Sequence, residues 1–226
     1  MHVGLIGGIG VAATLAYYDR LIRAAGDGAE VTIVHAQIGD LVRNFASDDR
    51  SAQARVYAGL IDRLKAAGCD VAAITSLGGH FCFDETAALA SLPLVSGVTP
   101  LDAYLERAGV ATAGLLGTAR VMETGLYGQL RKTRALAPEG DLAAVGAAYQ
   151  AMARRGTATA EERAFFLGEG AGLIRRGADA VVLAGTDLNL AFDGETPGYK
   201  VIDALDAHVA VLADLATGRR ALADVM

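Results

Sequence analysis

Short apolar runs closed by glycine alternate along the chain with longer stretches in which apolar residues recur at helical spacing. The runs His2–Gly7, Glu30–Gln37, Asp70–Thr75, Pro93–Ser96, Ala111–Leu116 and Ala180–Ala184 are rich in Val, Ile, Leu and Ala. Strands buried on both faces of a parallel sheet read this way. Between them, Ala52–Ala67 and Thr159–Arg175 carry the mixed apolar and charged spacing of helices. Ser51 is expected to open the first helix. Thr159, followed by Glu161 and Glu162, suits the positive end of the second. Pro93 and Pro100 bracket the crossing from the first half of the chain to the second, and Lys132–Asp141, with Pro138 and Gly140, reads as a loop. The last helix, Asp203–Ala216, is expected to pack back on the first half. Strands alternating with helices predict βαβ units.

The pattern occurs twice, at an offset of ~110 residues. Gly4-Leu5-Ile6-Gly7 is followed by Val11, Thr14 and Tyr17; Gly114-Leu115-Leu116-Gly117 is followed by Val121, Thr124 and Tyr127 at the same spacings. Gly68-Cys69-Asp70 leads through Val71–Ile74 to Ser76, and Gly177-Ala178-Asp179 leads through Ala180–Leu183 to Gly185. Two matches at nearly one offset predict an α/β protein of two similar parallel-sheet halves related by pseudo-twofold symmetry, with the site in the cleft between them. The expected division is residues 1–98 plus 204–226 against 99–203.

A chain of 226 residues suffices for one large domain or two small ones. Its 53% hydrophobic content and mean hydropathy of +0.34 imply a well-filled core. A net charge of -6 speaks against nucleic acid, which needs a basic face to displace phosphate counterions. Cys69 and Cys82 make no disulfide framework, so a reducing cytoplasm suits the chain. The N-terminal residues lack a basic leader and read as a first strand. No apolar run reaches the ~18 residues of a membrane helix, so no membrane partner is expected.

Ligands of open α/β sheets bind beyond the carboxyl ends of the strands. That directs attention to Gly7–Thr14, Gln37–Arg50, Thr75–His80, Gly117–Glu123 and Gly185–Asn189. Here the chain resembles the aspartate/glutamate racemase family, in its aspartate racemase branch. Gly7-Gly8-Ile9-Gly10 with Ala13-Thr14 and Tyr17-Tyr18 looks like that branch's opening motif. Gly114–Thr118 with Met122-Glu123 and Tyr127 is similar to its second-half signature. Gly177-Ala178-Asp179 leading to Gly185-Thr186-Asp187-Leu188 resembles its second catalytic segment. The resemblance implies a cofactor-independent isomerase of amino acid metabolism, in which two cysteines, one per half, remove and return the α-proton on opposite faces. It implies a small amino acid or carboxylic acid ligand, and dimers are common in the family.

At the two cysteine positions this chain has Ser76 and Gly185. The Asn-Thr that follows the first cysteine is Leu77-Gly78, a second-half threonine is Val121, and the Pro-Glu after the glycine motif is Val11-Ala12. His80, Thr186 and Asp187 stand at matching positions. The fold therefore transfers, whereas the two-thiol mechanism does not.

Each candidate has a plainer reading beside it. Gly8-x-Gly10-x-x-Ala13 also fits the looser dinucleotide fingerprint, but His35-Ala36-Gln37 supplies no acid at the end of the second strand and Asp40 comes late. Gly8 and Gly10 are better read as offering backbone N–H groups to a substrate carboxylate, and no cofactor is expected. Ser76 is a nucleophile, a donor to a carboxylate or a small residue at a crowded strand end; donor is preferred, since no nucleophile elbow surrounds it. His80 is an acid or base, or a loop-orienting imidazole. Cys82 between Phe81 and Phe83 is a substitute thiol or an inert core residue, and packing suffices for Cys69. Asp187 is a general base or a loop-holding carboxylate. No Cys-x-x-Cys or histidine spacing indicates a metal site.

Arg50 and Arg55 fall where the family places an arginine for the distal carboxylate, and Arg155 near a lysine of similar purpose; a planar guanidinium suits a carboxylate. Thr118 and Gly185 complete the expected binding set. Ser76 and Thr186 are expected on the carboxylate, with His80, Cys82 or Asp187 moving the proton. The expected function is proton transfer beside the carboxylate of a small amino acid or dicarboxylic acid. A non-catalytic carboxylate-binding homologue and a decarboxylase or lyase on the same scaffold are the alternatives.

Overall fold

The computed structural model describes residues 1–225. The fold divides into two compact units, one of residues 1–97 together with those from His208 on, the other Val98–Ala207. In the first unit a four-stranded sheet runs in the order β2-β1-β3-β4, from β1 (His2–Gly7), β2 (Glu30–His35), β3 (Val71–Ile74) and β4 (Leu94–Val95). In the second the order is β6-β5-β7-β8, from β5 (Thr112–Leu116), β6 (Arg134–Leu136), β7 (Ala180–Leu183) and β8 (Val201–Asp203). Every pairing is parallel and both sheets have the same topology. The central strands β3 and β7 are buried at every position, which is why their sequences show no polar alternation.

The repeated sequence becomes repeated contacts. Asp70 accepts the N–H of His2 at 2.7 Å, and Asp179 accepts those of Thr112 at 2.7 Å and Ala111 at 2.9 Å. The acid that opens each central strand thus fixes the start of its neighbour. Gly4 and Gly114 admit a helix close to the sheet: a Cβ on Gly4 would lie 2.8 Å from Leu64 Cδ1, and one on Gly114 would lie 2.8 Å from Leu173 Cβ. Those leucines belong to α3 (Arg50–Ala66) and α8 (Ala160–Arg175).

Helix starts follow capping chemistry. Thr159 caps α8 in a reciprocal box with Glu162. The first helix departs from expectation. Asp49, not Ser51, caps α3 by accepting the Ala52 N–H at 2.9 Å, so the helix starts at Arg50. The expected loop 132–141 contains strand β6. Three residues at a sheet edge, paired only with Thr112–Gly114 and followed by Pro138 and Gly140, are too short to show a strand period. The last helix, α10, spans Ala204–Ala216, and its part from His208 on belongs to the first unit. There the Tyr17 hydroxyl, on α1 (Val11–Ala25), lies 3.0 Å from His208 Nδ1.

Candidate functional site

In the first unit the strand ends are closed by side chains of the same unit. Gly8 has φ +90° and a Cβ there would fall 2.3 Å from His35 Nδ1, so only glycine turns the chain at this point. Its N–H is taken by Thr14 Oγ1 at 2.9 Å, and the same hydroxyl donates to the Gly10 carbonyl at 2.9 Å. Gly10 is the N-cap of α1 without a side-chain cap. Of the two expected carboxylate-binding glycines, Gly8 has therefore already committed its donor.

Ser76 follows β3 and is buried, its Oγ accepting the Gly79 N–H at 3.2 Å. His80 lies one turn on, in the 3-10 segment Gly78–Cys82. Its Nδ1 is 2.7 Å from the Ser76 carbonyl, and its Nε2 accepts the Gly97 N–H at 2.9 Å. A carbonyl can only accept and an N–H can only donate, so the imidazole is the neutral Nδ1–H tautomer with both nitrogens engaged. Burial pushes its pKa down to about 4. Such a ring orients the Ser76 turn and has no lone pair to offer a substrate.

Cys82 is fully buried, with Sγ 3.7 Å from the Gly79 carbonyl and 3.6 Å from Thr86 Oγ1. Burial pushes the thiol up to about 11, which leaves it protonated at neutral pH. Cys69, at the opposite end of β3, is likewise raised by burial. Arg50, at the first turn of α3, is half exposed and pairs with Asp48 at 3.4 Å and Glu85 at 3.8 Å. Arg55, also on α3, points to solvent.

In the second unit Thr118 caps α6 (Ala119–Glu123) by accepting the Val121 N–H at 3.3 Å. Arg155, at the end of α7 (Leu142–Arg155), is bound to Glu162 and donates to the Thr157 carbonyl at 2.9 Å. Its guanidinium thus serves the start of α8. Gly185, Thr186 and Asp187 follow β7 in a buried turn closed by the Leu188 N–H on the Gly185 carbonyl at 2.9 Å. Against that turn stands Tyr149 of α7. A Cβ on Gly185 would meet its ring at 2.6 Å and its hydroxyl oxygen at 3.0 Å. The hydroxyl donates to Asp187 Oδ2 at 3.4 Å. Burial and the neighbouring Asp187 charge hold the phenol well above its ordinary pKa.

Tyr149 was outside the sequence expectations. Val145, Tyr149 and Met152 form the buried stripe of α7, and a tyrosine on such a stripe reads as core. The available signal was Gly146, where a Cβ would lie 2.6 Å from the Ala119 nitrogen. That glycine lets α7 lie against the start of α6. Among the described residues, no group of three or more His, Cys, Asp or Glu could hold a metal ion. No helix among them is long and apolar enough to cross a membrane.

The sequence model of the Asp/Glu/Hydantoin racemase family matches residues 6–212. The chain belongs to that family. Its fold is that of the Picrophilus torridus aspartate racemase (TM-score 0.78, 22% identity, 96% of this chain and 94% of that one). An aspartate racemase homologue from Pyrococcus horikoshii is also similar (TM-score 0.71, 22% identity, 96% and 99% covered). So is the Francisella tularensis glutamate racemase solved with D-glutamate (TM-score 0.71, 13% identity, 96% and 81% covered). At these identities the likeness establishes the fold. No curated protein matches the sequence.

Proposed function

We propose that this racemase-family chain moves a proton at the carbon beside the carboxylate of a small amino acid or dicarboxylic acid, without a pair of cysteines. The supporting observation is that Gly185-Thr186-Asp187 forms a buried turn directly after β7, within a family match that runs from 6 to 212. Asp187, directly or through the Tyr149 hydroxyl it accepts from, is the preferred proton-transfer group, because His80 has both nitrogens engaged and Cys82 holds its proton. Ser76 in the first unit and Thr186 in the second are each proposed as hydrogen-bonding groups for a carboxylate. Arg50 is preferred over Arg155 as the anchor of a distal acid, since Arg155 is tied to both Glu162 and the Thr157 carbonyl, whereas the Arg50 pairs with Asp48 and Glu85 are long, at 3.4 and 3.8 Å. No cofactor is needed in this scheme.

A second reading, decarboxylation or elimination, draws support from position 185. A glycine brings no side chain to that turn, and chemistry on one face of a carbon needs fewer proton carriers than racemisation. Incubating L- and D-aspartate and glutamate with the protein in D₂O separates the outcomes. Proton NMR should show loss of the α-proton signal. A folded protein that leaves all four substrates unlabelled would exclude racemisation of them, and release of CO₂ from a substituted malonate would favour the second reading.

A further inference from the structure

Position 185 is empty of side chain but not of matter. The edge of the Tyr149 ring fills the place its Cβ would take, and the phenol oxygen lies 3.0 Å from that point. A hydroxyl is thus presented at the end of β7 where a side chain from the strand-end turn would otherwise reach. The group is set by packing: Gly146 brings α7 close, and Val145 and Met152 bury the helix on either side of Tyr149. It is also oriented, with Asp187 Oδ2 accepting its hydrogen. Tyr149 and Asp187 are both buried, at 6% and 4% exposure.

From this geometry we propose that Tyr149 is the proton-donating residue of the second unit, replacing a side chain that residue 185 lacks. The inference rests on the proton-transfer function above. In the step, the Tyr149 O–H bond breaks and the proton joins the α-carbon, whose carbanion electron pair forms the new C–H bond. The phenolate left behind is reprotonated from solvent, which has received the proton released when the carbanion formed, so the cycle leaves no net hydroxide. Asp187 holds the hydroxyl in place, and its charge favours the protonated phenol between turnovers. In the reverse direction the same oxygen, as phenolate, takes the proton back, so Tyr149 serves one face of the carbon in both directions.

The test is Tyr149→Phe, which keeps the ring and removes the hydroxyl. Where the wild-type protein turns over a substrate, the variant should lose at least ~100-fold in kcat, the size of a general-acid effect. KM should stay within about threefold, because the packing is preserved. An active wild type with a variant equal in kcat would overturn the role of Tyr149 and leave the proposed function standing. A wild type with no turnover on amino acids or malonates removes both. Should Tyr149→Phe fail to fold, thiol labelling decides without activity. A cysteine introduced by Gly185→Cys should react slowly beside Tyr149 and faster when Tyr149→Ala is added. Equal labelling would show that the ring does not hold that position, and the inference would fall.

Discussion

Gly97 donates its backbone N–H to His80 Nε2, and the two are thereby locked at 2.9 Å with the imidazole uncharged. A second buried ring lies beside it, His208, with centroids 6.3 Å apart. His208 Nδ1 faces the Tyr17 hydroxyl, while Nε2 has no hydrogen-bond partner among the described residues, and burial drives its pKa down to about 3. The Val95 carbonyl pulls weakly the other way. Both histidines are neutral in the fold yet titrate near 6.5 when unfolded. Below that pH the unfolded chain binds protons the fold refuses, so stability is complete above about 6.5 and falls as the pH drops toward 4. Each ring contributes about 1.4 kcal/mol per pH unit across that window. Urea unfolding at pH 7.5 and 5.0 should show the loss, and His208→Gln should roughly halve its slope. Equal stability at both pH values would contradict the buried pair.

The duplicated glycines predict unequal costs. At Gly114 a new methyl would strike Leu173 Cβ, which moves only with its helix; at Gly4 it would strike Leu64 Cδ1, the end of a flexible side chain. Gly114→Ala should therefore destabilise by about 1–3 kcal/mol through overpacking. Gly4→Ala should cost less, because Leu64 can turn away and the lost backbone freedom of glycine partly offsets the strain. Chemical denaturation of the two variants gives the order directly. The reverse order would mean that the two contacts do not limit the approach of α3 and α8.

Periodicity and repetition made the scaffold legible. The Gly-Leu-x-Gly strands and the acids at 70 and 179 mark both sheets, because central strands are long apolar runs with fixed neighbours. The edge strands divided: β2 and β4 were legible as apolar runs, whereas β6 and β8, three paired residues each among prolines and glycines, were not. At the site, the motif segments do end their strands, but the state of each group depended on partners remote in sequence. Gly97 decides the tautomer of His80 from 17 residues away. Tyr149 reaches Asp187 from 38 residues away. No local spacing carries that information.

Both cysteines should behave as inert core groups. Cys82 has a thiol raised to about 11 and fully buried, and Cys69 is raised as well. Alkylation follows the thiolate, so native protein at pH 8 should resist iodoacetamide while urea-unfolded protein reacts at both positions. Cys82→Ala should leave turnover within about twofold and cost roughly 1 kcal/mol of stability, the loss of a small buried group. Rapid native labelling of Cys82, assigned by peptide mass, would mean the residue is exposed and ionisable and would return it to the list of proton carriers.

Replacing Gly185 alone tests how firmly Tyr149 is held. An alanine there sets its methyl 2.6 Å from the ring, which sits between α7 and the turn after β7 and cannot swing aside without carrying its hydroxyl off Asp187. Gly185→Ala should cost about 1–3 kcal/mol. Tyr149→Ala should cost about 3–5 kcal/mol by opening a cavity. The double variant should be more stable than the sum of the two losses predicts, because the methyl then enters space the ring has left. A coupling of at least ~1 kcal/mol in urea unfolding is the expected size for residues in contact. Strict additivity would place the ring elsewhere in solution, since two side chains competing for one volume cannot act independently.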